Sequence, residues 1–146
     1  MNKLVVGFLF SPDEKYVVLI KKNRPKWQEG KYNGVGGHMN SNDETALQAM
    51  IRKFKEETGL EIIDWKPFAE GYNVDDNNTR VDFFVAKSEF YDTVTSKEDE
   101  HVSIIARRDL SFLPLIYNLN WLILLALDKQ TTYTTFNFTL NNEVQP

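Results

Sequence analysis

The 146-residue sequence predicts a single α/β domain spanning residues 1–146. Three observations point there. Residues 4–10, 16–20 and 79–86 are runs of branched and aromatic residues bounded by turn chemistry, which reads as strands. Residues 45–59 carry a helix start, an apolar stripe and a helix stop. Residues 109–128 hold a second, more apolar helical pattern. With 42% apolar and 13% aromatic residues the chain can bury a sizeable core.

Taken in order, strand 4–10 follows Lys3 but has no small-residue cleavage site, and it runs straight into Ser11, Pro12, Asp13 and Glu14. It is therefore a strand and not a signal peptide. That turn returns the chain as strand 16–20, which predicts a hairpin. Residues 21–30 form a basic loop with Trp27. It reads either as a solvated loop or as an anion-facing edge with Arg24 as a phosphate partner. A short strand, 32–37, enters a glycine loop whose bare backbone at Gly36 and Gly37 lets a carbonyl or amide approach a ligand closely.

Thr45 with Gln48 three residues later is a capping box, and Gly59 suits a left-handed helix stop. Ala46, Ala49, Met50 and Phe54 form the apolar face. On the remaining surface Arg52 can meet Glu56, and Lys53 can meet Glu57, as i,i+4 pairs. The bland reading is a solvated face. Adjacent carboxylates near a helix C-terminus, however, oppose its dipole, and a divalent cation would offset that cost.

Residues 60–65 and 66–74 read as extended, with Pro67 weakening the centre. Asp75, Asp76, Asn77 and Asn78 read as a plain turn and not as a metal site, and strand 79–86 pairs back. Residues 89–100 are a polar loop that turns acidic at Glu98, Asp99 and Glu100, before strand 101–107. His38 and His101 have no sequence partner and read as exposed. Residues 109–128 form the second helix, with Pro114 as a point of splitting. Leu115, Ile116, Leu119, Leu122, Ile123 and Ala126 make its buried face, while Ser111, Pro114, Asn118 and Asn120 argue against a membrane span. The tail 131–140 has strand propensity and adds an edge strand or pairs with another subunit.

A net charge of −4 and a pI near 5.2 exclude wholesale binding to a nucleic-acid polymer. Small anionic substrates remain compatible if metal ions screen the carboxylates. There is no cysteine, so neither a disulfide nor a thiol nucleophile, which fits a cytoplasmic protein.

The stretch Glu44, seven residues, Arg52, Phe54, Glu56, Glu57, Gly59 and Leu60, preceded by Gly36 and Gly37, resembles the signature of the Nudix (MutT-like) hydrolases. The resemblance implies the Nudix fold, a mixed β-sheet sandwiched between helices. It implies a phosphoanhydride hydrolase using Mg²⁺, or Mn²⁺, with the Gly36 carbonyl, Glu56, Glu57 and Glu100 as metal ligands. Glu100, with Glu98 next, is then the candidate for water activation, Arg52 orients the glutamates, and Glu44 supports the loop and helix start. Asn33 and Asn118, with Trp121, fall near nucleotide-contacting positions of Nudix relatives; the alternatives are a turn residue for Asn33, a cap or solvent-facing residue for Asn118, and core packing for Trp121.

Two departures from the signature carry consequences. Six residues instead of five separate Gly37 from Glu44, and Lys53 stands where the family has a glutamate. A lysine cation cannot ligate Mg²⁺. Fewer metals, a loop carboxylate taking over, or direct contact of Lys53 with substrate phosphate are the open outcomes. The favoured expectation is a nucleoside triphosphate pyrophosphohydrolase yielding a nucleoside monophosphate and pyrophosphate. The alternatives are a dinucleotide or nucleotide-sugar hydrolase and a weak, nucleotide-binding module. The partner expected is a small nucleotide, with no nucleic acid polymer and no membrane, and the chain a monomer or homodimer.

Overall fold

The computed structural model describes residues 2–40, 44–75 and 78–139. Asp76 and Asn77 of the expected turn, and residue 140 of the tail, lie outside them. Among the described residues eight strands form one mixed sheet. Its centre is β1 (Asn2–Phe10), antiparallel to β4 (Val35–His38) on one side and parallel to β6 (Thr79–Lys87) on the other. The expected hairpin with β2 (Tyr16–Lys21) is short, with Leu9 opposite Val18 and Phe10 opposite Val17. β2 instead runs its full length against β7 (His101–Ala106), and its end pairs with β3 (Tyr32–Asn33). β5 (Lys66–Asn73) is antiparallel to β6, slipping register between Pro67 and Ala69, where the proline cannot donate a ladder bond. β8 (Thr134–Phe138) lies parallel to β5 at the edge, so the tail supplies an edge strand.

β1 alternates between two cores, as a strand buried on both faces must. Val5 and Leu9 face α1 (Ala46–Thr58), which buries Ala49, Met50 and Phe54. Phe8 and Phe10 face α2 (Leu119–Leu127), which buries Leu119, Leu122 and Ile123. The sheet thus lies between helices, as the resemblance implies. The missing side chain of Gly7 makes room for Met50: a Cβ there would sit 2.7 Å from Met50 Cε.

One sequence expectation needs correction. Residues 109–128 break beside Pro114, as expected, but the segment after the proline does not resume as helix at once. A 3-10 turn, Arg107–Phe112, ends at Leu113, which is extended (φ −111°, ψ 149°), and α2 begins only at Leu119. Pro114 disfavours the helical conformation for the residue before it. The freed backbone then pairs with β3: Tyr32 N–H donates to the Pro114 carbonyl (2.8 Å) and Ile116 N–H to the Tyr32 carbonyl (3.1 Å). Residues 60–65 join no strand; they carry Ile62 and Trp65 into the α1-side core before β5 starts at Lys66. Among the described residues no helix is long and apolar enough to cross a membrane.

Candidate functional site

α1 starts as the sequence dictates. Gln48 N–H donates to Thr45 Oγ1 (3.1 Å), Thr45 N–H donates to Gln48 Oε1 (2.9 Å), and Gly59 closes the helix at φ 81°. The helix packs against β4, and Arg52 ties the two together. Its Nε and Nη2 donate to the two oxygens of Glu44 (2.6 and 2.9 Å), Nη1 donates to both oxygens of Glu56 (3.2 Å each), and Nη2 also reaches the His38 carbonyl (3.1 Å). The Arg52 hydrogen bonds, helped by the Asn40 amide, outweigh burial and hold the Glu44 carboxyl below its ordinary range.

Register places the glycine carbonyl. Met39 N–H donates to the Lys3 carbonyl, so Gly37 and Val35 exchange bonds with β1 and the alternate residues His38 and Gly36 do not. The Gly36 carbonyl therefore points away from β1, to the side on which the His38 carbonyl meets Arg52. A Cβ on Gly36 would lie 1.8 Å from the Val5 carbonyl oxygen, so only glycine fits.

Glu56 and Glu57 differ sharply. Glu56 is exposed and shared between Arg52 and Lys53, whose Nζ is 3.4 Å away. Glu57 is only 9% exposed; its Oε1 lies 4.0 Å from Lys53 Nζ, and its buried Oε2 has no hydrogen-bond donor. Burial pushes its carboxyl up, Lys53 opposes this, and Glu100 and Glu98 push the same way as burial. A buried carboxylate oxygen without a donor is costly, and a hard divalent cation would satisfy it. Two carboxylates and a carbonyl suit Mg²⁺, which keeps several waters. Among the described residues no three acidic or histidine side chains form a ready-made metal cage.

The acidic loop reaches this site because its backbone is tied to the end of α1. Lys97 N–H donates to the Glu57 carbonyl and Thr95 N–H to the Thr58 carbonyl (3.0 Å each). Glu100 is 4% exposed and fully engaged: Lys22 Nζ donates to Oε1 (3.0 Å), and the amides of Asn23 (2.5 Å) and Arg24 (3.4 Å) donate to Oε2. Burial pushes Glu100 up, but the Asn23 amide and Lys22 outweigh it and leave the carboxyl below its ordinary value. The sequence expectation of Glu100 as a metal ligand thus meets a carboxylate already holding an internal cation.

Arg24 points its guanidinium at Asp99 from an exposed position. Asn33 Oδ1 accepts from the Gly34 amide (2.7 Å), a local turn contact. Asn118 is buried at the start of α2 without a capping bond from its side chain. The β3 bridge from Tyr32 to Leu115 brings the two asparagine-bearing segments together. Trp121 is not in the core: it is 43% exposed and packs edge-on to Phe136 (centroids 4.9 Å apart). His38 and His101 are exposed. Sequence reasoning missed Lys22 as the partner of Glu100 and the His38 carbonyl as a partner of Arg52. A basic run at residues 21–24 and an acidic run at 98–100 were the only signal for the first, and none existed for the second.

A family model described as the NUDIX domain matches residues 1–119. No curated protein matches. Among solved structures the chain is similar to the NUDIX domain of Shewanella oneidensis NrtR complexed with ADP ribose. The two are 21% identical over 88% of each chain, with a TM-score of 0.74. It is also similar to a MutT protein from Bacillus halodurans (18% identical, 95% of this chain and 91% of that one, TM-score 0.70). A MutT NUDIX hydrolase from Burkholderia pseudomallei is 20% identical over 83% of this chain and 95% of that one, with a TM-score of 0.64. At these identities the structures speak for the fold.

Proposed function

The chain belongs to the Nudix family, and from that premise we propose that it is a Mg²⁺-dependent nucleoside triphosphate pyrophosphohydrolase, with Mn²⁺ as an alternative ion. The observation that carries this is the Glu57 carboxylate, buried beside Glu56 at the end of a helix with one oxygen lacking any donor. Glu56, Glu57 and the Gly36 carbonyl would hold the ion. When bound, it would neutralise phosphate oxygens and acidify a water.

The chain's own residues do the rest. Arg52 fixes Glu44 against the loop and Glu56 on the helix, so the carboxylates are set before substrate arrives. Lys22 and Lys53 add positive charge near Glu57. Water activation by Glu100 requires its release from Lys22. Asn33 and Asn118 supply polar contacts for the nucleoside, and Arg24 a guanidinium for phosphate once Asp99 yields it. The net charge of −4 favours a small nucleotide over a nucleic-acid polymer, and the lack of cysteine supports a cytoplasmic setting.

A second reading has a specific observation behind it. The similar Shewanella NUDIX domain holds ADP ribose. A nucleoside diphosphate linked to a sugar would be cleaved into two monophosphates, whereas a triphosphate gives pyrophosphate. A nucleotide panel with Mg²⁺ or Mn²⁺, scored for pyrophosphate and monophosphate release, separates the two. Glu57→Gln should abolish either activity. Tight nucleotide binding with no product under either ion would instead leave a binding module.

A further inference from the structure

Lys53 sits where α1, β4 and the site glutamates meet. Its Nζ is 3.4 Å from Glu56 Oε1 and 4.0 Å from Glu57 Oε1. A Cβ on Gly37 would come within 2.4 Å of Lys53 Cε and 3.0 Å of Nζ, so the lysine stem lies flat on bare backbone. An ordinary surface ion pair on a helix needs no such seat and leaves its lysine waving in water. This one has a side chain only 20% exposed and an ammonium set between Glu56 and Glu57, the two acidic residues that would hold the metal.

The charge balance follows. A glutamate at 53 would add an acidic group to Glu44, Glu56, Glu57 and Glu100 and remove a basic one. With lysine, neutralisation that a second metal ion would supply is built into the chain. An ammonium has three rotatable donors. It can hold Glu56 and still present a donor to a phosphate oxygen beside Glu57.

We propose that the Lys53 ammonium stands in for one cation of this site. It pairs with one oxygen of Glu56, leaves a single divalent ion to bind Glu57 and the other, and offers a donor of its own to a substrate diphosphate oxygen. This rests on the hydrolase reading above, and the test keeps the two apart. Wild type, Lys53→Met and Lys53→Glu are titrated with Mn²⁺ by calorimetry. The same chains, with Lys53→Arg and Lys53→Gln, are then titrated with an α,β-methylene nucleoside triphosphate in EDTA. Lys53→Gln serves as the second neutral variant should Lys53→Met misfold, with circular dichroism as the check.

Wild type should bind one Mn²⁺ per chain and Lys53→Glu two. Without metal, the neutral variants should lose about tenfold or more in analogue affinity, the scale of a lost charged hydrogen bond, and Lys53→Arg should keep most of it. Two ions on wild type alongside intact hydrolysis, or neutral variants that bind the analogue undiminished, would overturn the role of Lys53 alone. A wild-type chain that binds neither Mn²⁺ nor the analogue would overturn the hydrolase reading with it.

Discussion

Arg52 and Glu44 meet side-on, Nε to Oε2 at 2.6 Å and Nη2 to Oε1 at 2.9 Å, and this fork fastens the centre of α1 to the residues before its start. Lysine keeps the charge but cannot make two parallel bonds. Arg52→Lys should therefore destabilise the fold by about 1–3 kcal/mol, as should Glu44→Gln. The double variant should cost less than the sum of the two, because they share one interaction. Urea denaturation of the four chains checks this.

The adjacent glycines should respond differently. An alanine Cβ at Gly36 would meet the Val5 carbonyl oxygen at 1.8 Å, and a backbone atom in the central strand cannot step aside. At Gly37 it would meet the Lys53 stem at 2.4 Å, which can swing away. Gly37→Ala should cost about 1–3 kcal/mol, and Gly36→Ala more than that. Only Gly37→Ala should leave a folded chain with altered metal binding. Thermal melts with and without Mn²⁺ would show it.

Much of this was legible in the sequence because it is local. The Thr45–Gln48 box, the Gly59 stop and the Arg52–Glu56 pair all lie within one or two helical turns, where spacing alone decides contact. Pro114 was legible as a break, yet the apolar spacing of residues 115–126 hid that α2 starts only at Leu119. What prevents an earlier start is Tyr32, a strand residue far away in the chain. The Lys22–Glu100 pair spans 78 residues and exists because β2 and β7 are neighbours. Lys53 could be seen to be unusual. That it rests on Gly37 follows from how α1 packs on β4, which periodicity does not encode.

Asp82 offers a test of burial away from the site. It sits inside β6 opposite Glu70, with Arg80 donating to it at 3.0 Å. Burial pushes its carboxyl above the ordinary 3.8, Arg80 pulls it down, Glu70 adds to the rise and Lys3 opposes it. A carboxyl raised in the folded state contributes stability that is full below 3.8 and lost as pH rises through the native value. Asp82→Asn should remove that loss. The stability difference between variant and wild type should thus shift in favour of the variant as pH climbs from 3.8 toward neutrality. Urea midpoints measured across that range would refute the argument if the difference stayed flat.

Glu100 separates a chemical role from a structural one. Its two oxygens take Lys22 and the amides of Asn23 and Arg24, so it pins the basic loop to the start of β7. Glutamine has one acceptor oxygen and turns an NH₂ toward donors. Glu100→Gln should therefore lose about 1–3 kcal/mol through buried donors left unpaired, in addition to any loss of turnover. Its carboxyl is held below the ordinary 4.5, so its contribution is present above that value and lost as pH falls through the lowered native one. The variant should then lose part of the wild-type acid sensitivity. If Glu100→Gln removed turnover while leaving both the urea midpoint and the acid limb untouched, its bonds to Lys22 and Asn23 would contribute nothing net to the fold. Glu100 would then act on the substrate side alone.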